Sequence, residues 1–325
     1  MLNQKRLNEL KIGDEFTAFL LVTKFEVKTT KNGKPFINLE LRDKSALLPA
    51  KVWNKIEEIV DTIKEGAVVK VAGLLEEFNG SLQIRVEKIR LANETDNVSS
   101  DDFLPGSVRP LNEMIDELNS AIGSVANPFL QSLIKKILSG DNFEKFCRAP
   151  AGKSWHHSYL HGLLEHTLEI IRICNLMSSI HPEIDRDLLI TGALLHDFGK
   201  TEELTYSNTF DYSDKGKLIG HIVLSAIEIE KAASQIPSFP DELKTQLLHL
   251  VLSHQGKLEF ASPVEPRTLE AIVLYQADEL SAKTNAYKYA IESDRNRGGK
   301  WTRFLQLANT SLYIPDSFKG EEEND

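Results

Sequence analysis

Two periodicities divide this chain. Up to residue 92 apolar and polar positions mostly alternate, and from Leu111 onward apolar residues return every three to four positions. Asp14–Thr23 is an apolar run of strand type. Phe36–Leu41 alternates, with Phe36, Asn38 and Glu40 on one side and Ile37, Leu39 and Leu41 on the other. Leu47–Trp53 predicts a third strand. Lys55–Lys64 then switches to helical spacing through Ile56, Ile59, Val60 and Ile63. Ala67–Phe78 and Ser81–Leu91 predict two more strands joined at Asn79–Gly80, and Lys31–Asn32–Gly33–Lys34–Pro35 predicts an earlier turn. Residues 93–110 are polar and carry Ser, Asp, Pro and Gly, which predicts a linker. Beyond it, helices are predicted over 111–123, 128–139, 158–180, 186–198, 217–235, 240–254, 267–283 and 300–310. No internal repeat is present.

Three strands, one helix and two strands is the element order of a five-stranded OB barrel, whose helix falls between strands three and four. The first 92 residues therefore resemble the OB nucleic-acid-binding family in topology. The expected fold class is multidomain α+β: an OB-like five-stranded β-barrel (1–92), a linker (93–110), an all-α helical domain (111–316) and an acidic, disordered tail (317–325). A chain of 325 residues, 41% hydrophobic and 26% charged, has apolar material for two cores. The start, MLNQKRLNELKIG, lacks the apolar stretch of a secretory signal, and no apolar run approaches a spanning helix. A cytoplasmic protein without a membrane partner is expected. Cys147 and Cys174 read as core thiols.

The net charge of −10 argues against a tight duplex-DNA binder. Its distribution changes the picture. Residues 1–92 carry 16 Lys+Arg against 13 Asp+Glu, and the remainder carries 22 against 35. A barrel that tracks a single strand remains compatible with that balance. In the barrel, Phe36, Trp53 and Phe78 are candidates for stacking on bases. Lys24, Lys28, Lys31, Lys34 and Lys51 are candidates for phosphates. Barrel core is the alternative reading for Phe36 and Trp53.

All nine histidines lie between His156 and His254. His196–Asp197 ends an apolar helix in Leu194–Leu195–His196–Asp197–Phe198–Gly199–Lys200, with Gly199 as a plausible helix cap. Burying such a pair is costly unless something uses it. His166 shares a helical face with Leu163 and other apolar residues and so points inward. Asp278 closes a further apolar stretch, Ala271–Ala277. Imidazole and carboxylate without thiolate suit a hydrolytic site for a divalent metal. His156 and His161 read as structural or surface residues, His181, before Pro182, as a helix-end or loop residue, and His249 as a surface residue.

His166, His196–Asp197 and Asp278 match the order His…His-Asp…Asp that names the HD phosphohydrolase superfamily, and Lys200 matches too. More narrowly, His156–His157–Ser158–Tyr159, Gly162–Leu163–Leu164–Glu165–His166–Thr167, Gly220–His221 and Ser253–His254–Gln255–Gly256 resemble the YhaM-type 3′→5′ exoribonucleases. Those proteins pair an OB domain with an HD domain. The resemblance implies a metal-dependent exonuclease that removes 5′-mononucleotides from the 3′ end of single-stranded RNA through a metal-activated hydroxide. Single-stranded DNA is a second expected substrate. It implies His166, His196, Asp197 and Asp278 as ligands of one metal. His221 and His254 would add a second, bridged by Asp197, with manganese the first choice. It also implies Asp197 and Lys200 in catalysis, Lys200 neutralising charge on the phosphate. His157 would protonate the leaving oxygen or hold the phosphate. Gln255 stands where that family often has a second His; were that His a ligand, the second metal would be held more weakly. Two other readings stay open: an HD hydrolase of small nucleotides, and a non-catalytic nucleic-acid-binding adaptor.

Overall fold

The computed structural model describes residues 4–30, 32–206, 209–295 and 299–318. The expected acidic tail lies, from residue 319 onward, outside the described residues, as does Lys31. The chain divides into two compact units, Met1–Gly106 with Thr205–Asp211 and Ser107–Leu204 with Tyr212–Asp325.

The first unit is a closed barrel of five strands in the order β1-β2-β3-β5-β4. They are β1 (Glu15–Thr29), β2 (Pro35–Arg42), β3 (Leu47–Val52), β4 (Val68–Phe78) and β5 (Ser81–Leu91), with helix α1 (Ile56–Thr62) between β3 and β4. Closure rests on β1, whose first half pairs with β4 and whose second half pairs with β2. An irregularity between Val22 and Lys24 turns the strand from one partner to the other. The strand thus runs past Thr23, because a polar, alternating segment can still pair along β2. Ile37, Leu39 and Leu41 point inward and join Leu20, Val22, Ala50, Val71 and Ile84 in the core. Ile59 and Ile63 close one end. The Asn79–Gly80 turn has both residues left-handed, as a tight hairpin requires.

The second unit is helical: α2 (Leu111–Gly123), α3 (Pro128–Ile137), α4 (Asp141–Arg148), α5 (Gly162–Ile180), α6 (Arg186–Leu195), α7 (Lys200–Glu203), α8 (Asp214–Ile219), α9 (His221–Ser234), α10 (Asp241–Ser253) and α11 (Leu269–Asp294). Side chains of Asn127, Asp185 and Thr268 cap α3, α6 and α11. Every residue of α6 from Leu188 to Leu195 is buried, so this helix forms the middle of the unit against α3, α5, α10 and α11. Cys147 and Cys174 are buried free thiols, pushed up to about 11 and about 12 by that burial. No helix among the described residues is long and apolar enough to cross a membrane.

Several helix boundaries differ from expectation. The predicted helix 158–180 begins only at Gly162, because His157 and His161 are left-handed (φ 43° and 68°). The predicted helix 217–235 breaks at Gly220, φ 78°, into α8 and α9. The predicted helix 300–310 is absent. In its place are isolated bridges, Trp301 to Tyr313 and Leu305 to Thr310, and a 3-10 turn at Gln306–Ala308. The buried Asp294 carboxylate holds this segment, accepting the backbone N–H and the guanidinium of Arg303. Helix α4 was not anticipated.

Candidate metal centre

Helices α5, α6, α9, α10 and α11 each bring an imidazole or carboxylate to one interior point. His166, His196 and His254 are fully buried, and Asp197 and Asp278 nearly so. In each histidine the Nδ1 atom faces an acceptor. His196 donates to the Ala193 carbonyl at 2.8 Å, and His254 to the Val251 carbonyl at 2.7 Å. His221 donates to Glu203 Oε1 at 2.9 Å. His166 Nδ1 meets Ser281 Oγ at 2.9 Å, and Ser281 uses its own hydrogen on Glu169 Oε2 at 2.6 Å. Ser281 must therefore accept from His166. All four rings carry their hydrogen on Nδ1 and turn a bare Nε2 inward.

What those Nε2 atoms meet is carboxylate. Asp197 Oδ2 lies 3.3 Å from His196 Nε2 and 3.8 Å from His166 Nε2. Asp197 Oδ1 lies 3.3 Å from His221 Nε2 and 3.5 Å from His254 Nε2. Asp278 Oδ1 is 3.0 Å from His166 Nε2. Lone pair faces lone pair, and the Nε2 atoms of His166, His196 and His221, with Asp197 Oδ1, are buried without a hydrogen-bond donor. Such an array is unfavourable by itself, because those four buried polar atoms lack partners. Divalent cations would satisfy all of it, so the donor set fits a metal. Two sets of potential ligand atoms converge on Asp197: His166, His196 and Asp197, and Asp197, His221 and His254.

The protonation preference of His166 agrees with a bare Nε2, while that of His196 favours a proton on Nε2 toward Asp197 that a cation would displace. Burial lowers the His166 pKa to about 4, only partly opposed by Asp278, so this ring is neutral at pH 7. Burial also works against the charged forms of Asp197 and Asp278, but Lys200 and His196 hold the first well below the usual carboxylate range and His166 holds the second down. For His196 the burial penalty is outweighed by Asp197 and its pKa is raised. Lys200 is buried with its Nζ 2.6 Å from Asp197 Oδ2, and Asp197 and Asp278 raise its pKa against the pull of burial.

His157 is enclosed. It is 1% exposed, its Nδ1 is 3.3 Å from His156 Nδ1, and its Nε2 is 3.4 Å from Glu169 Oε2. Its backbone N–H donates to Asn285 on α11. Gly199, read from sequence as a helix cap, has φ −58°. Its small size answers a close approach instead, since a Cβ there would fall 2.2 Å from the His221 carbonyl oxygen.

In the barrel, Phe36, Trp53 and Phe78 all lie outside the core cluster. Phe36 and Trp53 stack on each other with ring centres 4.9 Å apart, and Trp53 stays 45% exposed. Phe78 is 52% exposed, with Lys51 Nζ 4.6 Å from its ring centre. Lys28 pairs in register with Phe36, which places one lysine beside the ring pair. Lys24 and Lys28 are held by Glu26, at 3.1 and 2.8 Å. Lys34 is exposed in the β1–β2 turn.

With this geometry in place, known proteins offer a comparison. The 3′-5′ exoribonuclease YhaM of Bacillus subtilis is 34% identical over 95% of this chain and 97% of its own length. This chain belongs to the YhaM family. The YhaM protein of Bacillus licheniformis is 35% identical over 94% of this chain and 96% of its own. Residues 163–283 match the HD domain family, and residues 22–92 match the OB-fold nucleic acid binding domain family. Among solved structures, the second OB-fold domain of replication protein A from Methanococcus maripaludis matches 28% of this chain and 95% of its own. The identity is 20% and the TM-score 0.24.

Within this YhaM-family chain, sequence reasoning missed four residues around the centre. His156 does not sit apart from it: its ring centre is 4.8 Å from that of His166, and His156, His157 and His166 form a third group of convergent ligand atoms. Burial, with His166 and Lys200 nearby, keeps His156 neutral. Glu169, Ser281 and Glu203 fix the orientation of His166 and His221. Glu169 and Ser281 were findable only as same-face neighbours of His166 and Asp278, three positions along α5 and α11. His161, by contrast, is structural, bonded through Nδ1 to the Cys147 carbonyl, and His249 accepts the Arg267 backbone N–H.

Proposed function

We propose that this chain is a metal-dependent 3′→5′ exoribonuclease that releases 5′-mononucleotides from single-stranded RNA, with single-stranded DNA as a second substrate. The observation that carries the reading is Asp197, whose two oxygens each face a separate pair of bare imidazole nitrogens. His166, His196, Asp197 and Asp278 would hold one divalent cation. Asp197, His221 and His254 would hold another. Mixed imidazole and carboxylate ligands admit several divalent cations, and manganese, expected from the family resemblance, is the first to test. Such a cation pair supplies Lewis acidity to a phosphoryl oxygen and an acidified water as nucleophile.

The chain's own groups do the rest. Glu203, and Ser281 backed by Glu169, keep the Nδ1 hydrogens in place, so the Nε2 lone pairs stay aimed inward. Lys200 remains charged beside Asp197 and offers positive charge where a phosphoryl oxygen becomes more negative. The enclosure of His157 supports a positioning role, holding His156 and His166, over proton transfer to a leaving oxygen. We assign residues 1–92 as the strand-holding platform, 93–110 as the connector and 111–316 as the hydrolytic domain. Phe36, Trp53 and Phe78 would stack on bases, with Lys34 and Lys51 near phosphates. A cytoplasmic location suits an RNA substrate.

The test uses a 5′-labelled oligoribonucleotide ending in a 3′-hydroxyl or a 3′-phosphate, with Mn²⁺ or with EDTA. Stepwise shortening from the free 3′ end, dependent on Mn²⁺ and lost in Asp197→Asn, is expected. Turnover of mononucleotides alone would favour a small-nucleotide hydrolase, and an intact oligonucleotide under all conditions would overturn the assignment.

A further inference from the structure

Next to the cation site is a cavity of about 150 Å³ whose aromatic lining has no role in the scheme above. Its walls come from three segments: Trp155 from the loop before α5, Phe260 from the 3-10 turn after α10, and Tyr275 from α11. Tyr275, Asp278, Glu279 and Ala282 all line it. Their spacing of three, four and seven residues places them on one stripe of α11. The stripe that carries the candidate ligand Asp278 is therefore also the floor of the cavity. Small Ala282 leaves the space open.

Two details describe how these rings are presented. Phe260 is left 50% exposed at the cavity rim. Gly256 (φ 77°) lies so close to Tyr275 that a Cβ there would fall 2.2 Å from the ring. The turn after His254 thus pins Tyr275 in place. His254 and Asp278 are both in the lining, so the cavity is continuous with the cation site. Its volume is the share of roughly five liquid waters, the scale of one ring system.

We propose that this cavity is the subsite for the base of the 3′-terminal nucleotide, gripped between Trp155, Phe260 and Tyr275. The choice of a nucleotide as occupant rests on the exonuclease reading. A helix that fixes both the base and a metal ligand sets which phosphodiester reaches the metal: the one next to the seated base. Stacking tolerates any base, so the pocket measures the end of a strand without reading its sequence.

The test is equilibrium binding, which needs no turnover. Full-length protein loaded with Mn²⁺ is titrated calorimetrically with adenosine 5′-monophosphate and with ribose 5-phosphate. The nucleotide should bind about tenfold tighter or better, the scale of one stacked base. Phe260→Ala and Trp155→Ala should bring the two affinities together, and Phe260→Tyr should restore the gap. Equal affinities in the unmodified protein, or an undiminished gap in both alanine variants, would overturn the subsite. A mere structural lesion would weaken both ligands in parallel, and that result also counts against it. Failure of the exonuclease reading shows separately, as an oligonucleotide that is never shortened.

Discussion

Inside the helical unit, six acceptor groups crowd an interior point and none can turn away, because each imidazole is tied through Nδ1 and each carboxylate is walled in. On the barrel, the corresponding candidates lie at the surface, where water can replace whatever they touch. Trp53 and Phe78 are half exposed, and the cation over Phe78 is Lys51. The interior group works as a unit, so losing one member disables the others. The surface contacts would act separately, the Phe36–Trp53 stack and the Lys51–Phe78 pair, so losing one leaves the other in place.

Asp197→Asn breaks the comparison most severely. It keeps the shape of the side chain but removes the charge that both pairs of Nε2 atoms face, and it leaves Lys200 beside a neutral amide. A fall in kcat on the order of 10³-fold or more is expected, read from single-turnover oligonucleotide cleavage. Retention of a tenth of the activity would mean that Asp197 does not join the two ligand sets. Next in size is Ser281→Ala. It touches no substrate, yet it frees the His166 ring to turn and to move its hydrogen. Cation affinity should drop roughly 10- to 100-fold by calorimetry, with the helical content unchanged. Unaltered affinity would show that packing alone holds the ring.

Acidity gives the third measurement. His196 has a raised pKa, so its proton stabilises the fold fully below the ordinary imidazole pKa and this contribution fades as pH climbs through the raised value. A cation competes with that same proton. Affinity for Mn²⁺ should therefore increase with pH across this interval, by up to about tenfold per unit for each proton displaced. Calorimetry in buffers of different ionisation enthalpy counts the protons, and a count of zero contradicts the scheme. The smallest change is expected at the surface. Trp53→Ala should raise KM for a long oligoribonucleotide by about tenfold or less and leave kcat alone. Phe36→Ala should add little to it, since the two rings form one stack. A collapse of kcat in either variant would erase the contrast between interior and surface.

The same contrast governs what could be read without coordinates. The barrel strands follow from alternation, and β2 shows why: Ile37, Leu39 and Leu41 have nowhere to go but inward. His166 and the His196–Asp197 pair were equally legible, because a polar residue on an apolar helical face announces itself, whereas His221 and His254 came only from the family resemblance. His156 was not legible. It sits in a loop where His157 and His161 are left-handed, and no periodicity reports which way such a residue points. Helix α4 escaped because it is eight residues long, too short to establish a period. The segment 300–310 has helical spacing but forms only a 3-10 turn at Gln306–Ala308 between isolated bridges, with Asp294 holding Arg303 from nine residues upstream, a contact that local periodicity does not contain. Phe36 and Trp53 could have been core or surface from alternation alone. The barrel's closure decides it, because the inward side of β2 is already filled.

Gly199 carries one more consequence. The turn that follows Asp197 and the first residue of α9 meet main chain to main chain there, with room for a hydrogen and nothing larger. A frame joined that way has little give. It does not widen or shrink to suit its guest, so ions of unequal radius would meet the misfit as weaker retention while the surrounding protein stays the same shape.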